Sequence, residues 1–288
     1  YKEEATPDDH VGYEVSLSGL KGGHSGLEII LQRANANKLL ARFLRENSYV
    51  LLSTIDAGGL RNAIPREAKA VVAVPVAQTE AFEQAAAAFC ATLQHEFAHV
   101  EDSIKFGVKR VAAPTIVASR DFQTRFIAAL TAMPNGIMRM SDTVPGLVET
   151  STNMSRIEMT GGKAQLLFMV RCMVNYGKPQ VVAMIESVVT LAGGRIEAQG
   201  DYDGWAPNPD SHILHVMKEG YEKLFGKTPA VKAIHAGLEC GIIGAKYPQL
   251  DMISVGPTLR YPHSPDEKVE IASVVRFYDF LIDTLKNF

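Results

Sequence analysis

The sequence predicts a mixed α/β protein: a doubled, ferredoxin-like layer with an antiparallel sheet and helices on one face, then the C-terminal part of an α/β domain. Three observations carry this reading. Alternating strands and amphipathic helices follow a β-α-β-β-α-β order over residues 10–115. That order partly recurs over residues 116–205. Beyond the turn-rich "DGWAPNPDS" the strand candidates become short apolar runs, as in buried parallel sheets.

In the first half, "GYEVSLSGL" alternates as a strand, "KGGHSG" is a glycine-rich turn and "ANANKLLARFLREN" has helical periodicity. Strands "YVLLSTI" and "EAKAVVAVPV" follow, joined by the turn-forming "DAGGLRNAIPR". A helix from about Thr79 to Val100 and the strand "SIKFGVKRV" complete the unit. The second half reads as helix "RDFQTRFIAALTAM", strand "GLVETSTNMSRIEMT", a Gly-Gly turn, strand "AQLLFMVRCMV", helix "KPQVVAMIESVVTLAG" and strand "RIEAQGDY", extending the same sheet. Residues 1–205 therefore form one expected domain and 206–288 a second segment.

That segment begins with a helix starting at Asp210 or Ser211. Strand "AVKAIHAG", a short helix or loop, strand "LDMISVG" and the helix "IASVVRFYDFLIDTLKNF" follow. It is too small for a complete α/β domain and reads as the end of one. The opening "EEATPDD" reads as a solvated leader, and a start at Tyr1 rather than Met suggests a piece of something longer.

Composition narrows the function classes. Hydrophobic residues make up 47% and charged residues 21%, as in ordinary soluble domains. A formal charge of −3 leaves no electrostatic footprint for nucleic acid, and no basic run or bilayer-length apolar stretch points to a membrane. Cys90, Cys172 and Cys240 are too few and too scattered for a disulfide framework, which points to a reduced, cytoplasmic setting.

One short motif invites a metal reading. His95-Glu96-Phe97-Ala98-His99 fits the H-E-x-x-H pattern of zinc proteases. At 100° per residue, however, Phe82, Phe89, Leu93, Phe97 and Val100 share one buried stripe, and both histidines lie on the opposite side. Zinc ligands need a cleft and a supporting outer shell. The expectation is a solvated pair.

Other residues carry chemistry in their context. His24, in "GLKGGHSG", could donate to a developing oxyanion or cap the following helix. Asn62, before "IP", is at home in a turn. Arg171, isolated among apolar neighbours in "LLFMVRCMV", needs an anion, from the protein or from a ligand. In "HAGLECG", Glu239 could act on a substrate amine or hold a neighbouring loop, while a Cys240–His235 nucleophile lacks an orienting acid. His263, at a strand end in "PHSPDE", is a single metal-ligand candidate.

Taken in order, "LKGGHSG", "NANKLLARFL", "LRNAIPREA", "TSTNMS", "IHAGLECG" and "ISVGPT…PHSPDEKV" resemble the aminoacyl-histidine dipeptidases, within the dinuclear zinc aminopeptidases, dipeptidases and deacylases. The resemblance runs over essentially the whole chain. It implies a catalytic α/β domain holding two zinc ions, with a lid domain inserted into it. The H-x-D, Asp and Glu-Glu motifs that would precede the lid are not found here.

Carried over by motif, the resemblance makes His263 the last zinc ligand with Glu267 in support, and His24 the lid histidine that stabilises the tetrahedral intermediate. It makes Arg171 the group that holds the substrate carboxylate, places either Asn62 or Asn153 at the substrate, and puts Glu239 in the bordering loop. It further implies hydrolysis of Xaa-His dipeptides such as β-alanyl-histidine by zinc-activated water. The implied partners are the dipeptide, an N-terminal catalytic part of the same polypeptide and a second copy in a homodimer. With most ligands and the base elsewhere, the 288-residue chain is expected to be inactive alone. The alternative is a non-catalytic binding or dimerisation module derived from the lid.

Overall fold

The computed structural model describes all residues except 143, 202, 206, 207, 233–238 and 261–266. The described residues fall into two compact units, residues 1–200 and a second drawn from 201–288.

In the first unit, β1 (Glu3–Ala5), β2 (His10–Ser18) and the two-residue β3 (Gly23–His24) precede helix α1 (Ala36–Glu46). Then come β4 (Leu51–Gly58), the short β5 (Ala63–Ile64), β6 (Ala68–Pro75), α2 (Thr79–Glu96) and β7 (Lys105–Val111). Strands β4, β6, β2 and β7 lie side by side in that order, each antiparallel to the next. This is the expected ferredoxin-like layer. Alternation fixes its register: Tyr13, Val15 and Leu17 of β2 turn inward, and Val15 lies between Ala70 of β6 and Val108 of β7.

The inward stripe of α1 is Leu39, Leu40, Phe43 and Leu44, and that of α2 is Phe82, Ala86, Phe89 and Leu93. Phe43 meets Phe82, Phe89 and Phe106 with ring centroids 5.5, 5.3 and 4.7 Å apart. Truncating such a fully buried ring costs about 3–5 kcal/mol.

The second half begins with β8 (Ile116–Ala118) and α3 (Arg120–Ala132), followed by β9 (Gly136–Met140), β10 (Val148–Thr160), β11 (Lys163–Cys172) and α4 (Gly177–Leu191). Strand β10 pairs with β4, so both halves share one sheet ordered β11-β10-β4-β6-β2-β7, with β9 also on β10. Phe126 and Leu130 of α3 and Val181 and Ile185 of α4 join the same core as α1 and α2. One long hydrophobic layer therefore underlies both halves. Lys38 ties α1 to α3, its Nζ donating at 2.8, 2.8 and 2.9 Å to the Leu130, Thr131 and Met133 carbonyls. Those are the orphan acceptors of a helix C-terminus. Burial pushes the Lys38 ammonium down to about 8.

Several expectations need correction. The strand expected at "RIEAQGDY" does not form: residues 195–201 are exposed and belong to no ladder, since their charges interrupt any apolar face. The leader is not merely solvated, because β1 pairs with β8 and Tyr1 stacks on Phe122 at 4.4 Å. Helix α2 stops at Glu96 rather than Val100. The Phe97–Glu101 turn follows, with the amides of Val100 and Glu101 donating to the Phe97 carbonyl.

The second unit contains α5 (His212–Phe225), α6 (Glu239–Lys246), the two-residue strands β12 (Leu259–Arg260) and β13 (Lys268–Val269), and α7 (Ile271–Asn287). Ser211 caps α5 through its hydroxyl, which accepts from Leu214 N at 3.1 Å, and Gly226 ends the helix at φ 63°. The helices expected here are present, but residues 251–256 form no strand and neither do the described residues 229–232. An apolar run becomes a buried strand only where neighbours complete its ladder. None of the described residues does so, and Val231 and Val255 remain exposed. No described helix is long and apolar enough to cross a membrane.

Candidate functional site

The glycine-rich turn read from the sequence is a loop from Lys21 to Ala34, built around the two-residue ladder of β3 with β5, in which Gly23 pairs with Ile64 and His24 with Ala63. Gly23 lies at φ +129°, and a Cβ there would sit 2.6 Å from Glu28 Oε2. Only glycine fits both demands. Beside it, the Glu28 carboxylate accepts from His24 N at 2.8 Å and pairs with Arg33 at 2.9 Å. Arg33 in turn donates to Gly22 O at 2.6 Å.

The His24 ring is oriented by backbone. Its Nδ1 accepts from Gly26 N at 3.2 Å and Leu27 N at 3.1 Å. The two amides favour a hydrogen on Nε2, whereas Arg171, which can only donate, favours an unprotonated Nε2, so the roles of the ring nitrogens follow the tautomer. Nε2 lies 3.5 Å from Arg171 Nη2. Gly26 permits that approach: a Cβ there would stand 3.0 Å from His24 Cε1 and 3.2 Å from Arg171 Nε. Arg171, buried on β11 opposite Ser151, belongs to the second half of the sheet, and His24 to the first. The doubling thus brings an imidazole and a guanidinium together at one corner.

The two asparagines occupy different surroundings. Asn62 is exposed, and with His24, Gly59, Leu60, Pro65 and Arg66 it lines a cleft of about 460 Å³. Its carbonyl accepts from Ser25 N at 2.8 Å, tying the cleft wall to the histidine loop. Asn153 is only 1% exposed. Its Nδ2 donates to Ala63 O at 2.8 Å and its Oδ1 accepts from Asn35 Nδ2 at 3.2 Å. Asn35 also caps α1, accepting from Asn37 N at 3.0 Å and Lys38 N at 3.3 Å. Asn153 therefore holds β5, and β5 holds His24.

The remaining candidates belong to the second unit or fall outside the described residues. Glu239 opens α6 in the second unit and is exposed, as is Glu267. His235 and His263 fall outside the described residues. Among the described residues, no group of three or more His, Cys, Asp and Glu side chains could hold a metal ion. The described residues therefore do not form a metal centre by themselves. His95 and His99 are exposed, and α2 ends between them, so they share no helical face. Glu96 is engaged with Arg42 at 2.6 Å. Sequence reading missed Glu28 and Asn35, although "NAN" before a helical run is a cap signal.

Residues 15–101, which hold the ferredoxin-like layer and the histidine loop, match the peptidase dimerisation domain family. More particularly, the chain is a relative of the aminoacyl-histidine dipeptidases. It is 42% identical over 290 residues to the cytosol non-specific dipeptidase of Escherichia coli (strain K12), an alignment covering 99% of this chain and 59% of that protein. The crystal structure of the aminoacylhistidine dipeptidase from Vibrio alginolyticus superposes with a TM-score of 0.92 at 42% identity, again covering 99% of this chain and 59% of that one. A more distant relative is the succinyl-diaminopimelate desuccinylase of Sulfurovum sp. (strain NBC37-1), 22% identical over 142 residues, which are 49% of this chain and 38% of that protein. The chain thus spans about three fifths of the length of the dipeptidases it matches.

Proposed function

We propose that this chain is the lid and C-terminal segment of a metal-dependent dipeptidase acting on Xaa-His dipeptides. The observation that carries the reading is the His24 imidazole, oriented by two backbone amides at Nδ1 with its Nε2 3.5 Å from Arg171 Nη2. An imidazole held in one orientation by two backbone amides is positioned to donate from Nε2 to an oxygen that gains charge during reaction. The guanidinium next to it suits the carboxylate of a dipeptide. Its burial makes that attraction stronger than it would be in water. Asn62, exposed in the same cleft wall, is the asparagine proposed to meet substrate. Asn153 acts through Ala63.

The metal proposed is zinc, with His263 as one ligand and Glu267 in support. The other ligands and the general base come from the catalytic part of the longer polypeptide. Glu239 is proposed to border the substrate. In support, α7 leaves Ile271, Val275, Tyr278 and Leu285 exposed, as a face covered by further protein would be. A homodimer through the lid and a cytoplasmic location complete the proposal. The match of residues 15–101 to a dimerisation family and the cytosolic dipeptidase relative support these two.

The test is direct. The purified 288-residue chain, supplied with zinc, is expected to show no cleavage of β-alanyl-histidine, and addition of the catalytic part is expected to produce it. Zinc-dependent hydrolysis by the chain alone would overturn the division of labour. A reconstituted protein that binds the dipeptide without cleaving it would favour the non-catalytic module.

A further inference from the structure

We propose that Glu101, in the turn after α2, is a positioning residue for His24 that acts by stapling both ends of the histidine loop with one buried carboxylate. Glu101 is 4% exposed. Its Oε2 accepts from Lys21 N at 2.8 Å and its Oε1 from Ala34 N at 3.1 Å. Lys21 and Ala34 are the first and last residues of the loop that carries His24. A loop whose ends are brought together on one group is a compact, surface Ω-type element, and its shape depends on that closure.

A charge taken out of water is costly unless it is hydrogen-bonded, and here the loop ends supply the bonds. No described cation forms an ion pair with Glu101; Lys21 Nζ instead reaches Asp102 at 3.1 Å. The carboxylate's chemistry is therefore committed to two backbone amides. Its own place is set by the core: the Glu101 amide donates to Phe97 O at 2.8 Å, just beyond the buried Leu93. Inside the loop, Glu28 and Arg33 form a second, local brace on His24 N and Gly22 O. The two braces divide the task. Glu101 anchors the loop to the layer, and Glu28 shapes the turn that lets Gly26 and Leu27 grip Nδ1. Gln at position 101 keeps the shape but turns one acceptor into a donor that faces an amide.

The inference rests on the reading of His24 as the oxyanion donor, but its first test, by ring spectra and amide exchange, uses no substrate and no metal. In the histidine-¹⁵N-labelled 288-residue chain, ring spectra are expected to show His24 in a single ring state. The Lys21 and Ala34 amides are expected to be protected from hydrogen exchange. In Glu101→Gln the single ring state is lost and amide exchange across the loop rises by about tenfold or more, while the His95 signal stays put. Tyr13→Phe, which perturbs the same sheet without touching the loop, leaves the His24 ring state unchanged. A Glu101→Gln protein that folds and keeps both the single ring state and the slow exchange overturns the proposal. Should that variant fail to fold, rapid exchange of Lys21 and Ala34 in the parent overturns it equally, and protection there sustains it. Activity lost in His24 variants but unaffected by Glu101→Gln would leave the reading of His24 standing and remove only the staple.

Discussion

Replacing Asn153 with Ala separates a residue that builds the site from one that touches substrate. The change deletes the Nδ2 donor to Ala63 O at 2.8 Å and the Oδ1 acceptor for Asn35 at 3.2 Å, at a position 1% exposed. Asn35 keeps Asn135 Oδ1 at 3.1 Å and Met154 O at 3.2 Å, so the main casualty is the Ala63 carbonyl. Two lost hydrogen bonds at about 1 kcal/mol each, with one buried partner left poorly satisfied, give a cost of about 2–3 kcal/mol. In a unit of this size that is a fall of about 4–12 °C in Tm. Because β5 meets β3 through only two residue pairs, a loosened Ala63 frees His24. In a longer polypeptide with the proposed dipeptidase activity, kcat is then expected to fall about 10- to 100-fold with KM little changed. Calorimetry and steady-state kinetics on β-alanyl-histidine read both effects. The exposed Asn62→Ala is expected to cost under about 0.5 kcal/mol and to act mainly on KM. An Asn153→Ala protein with unchanged Tm and a raised KM alone would refute the assignment.

Other outcomes follow from the same structure. Gly26→Ala places a Cβ 3.0 Å from His24 Cε1 and 3.2 Å from Arg171 Nε, forcing shifts of a few tenths of an ångström; kcat of the intact enzyme is expected to drop about tenfold or more with the fold retained by circular dichroism. Lys38→Met strands three carbonyls at the end of α3 and is expected to cost about 2–3 kcal/mol in denaturant titration. Burial, then the hydrogen bond to Glu83, holds the Tyr13 phenol above its ordinary value of 10.0. The unfolded chain therefore releases this proton first, and the stability gained here is complete below pH 10 and lost as pH rises through the folded value. Tyr13→Phe should flatten that alkaline decline in thermal melts. Changing both His95 and His99 to Ala should leave zinc content, measured by atomic absorption, as it was.

Local patterns revealed most of the layer because each strand faces its core on one side only. Tyr13, Val15 and Leu17 announce β2 by alternation, and Phe82, Phe89 and Leu93 announce α2 by their helical stripe. The same stripe showed that His95 and His99 point outward. Ladders of two or three residues, such as β1 with β8 and β3 with β5, left no pattern because they depend on partners tens of residues away. The strands expected in the C-terminal unit failed for the opposite reason: their apolar runs are clear, but no described residues pair with them.

Of the site, His24 and Arg171 stood out as a glycine-flanked histidine and a guanidinium in an apolar strand. Their approach to 3.5 Å required the pairing of β10 with β4, which no local signal encodes. The distinction between Asn62 and Asn153 was equally hidden, since burial rather than residue type separates them. Glu101 was the least visible, an acidic residue in "VEDS" that looks like surface until both its oxygens are seen on amides.

His24 is the oxyanion donor of the proposed reaction, and the sharpest check is kcat for β-alanyl-histidine in the longer polypeptide carrying His24→Ala. A kcat lower by about 100- to 1,000-fold is expected, the usual effect of removing one oxyanion donor, with KM nearly unchanged. A kcat equal to that of the parent would contradict it.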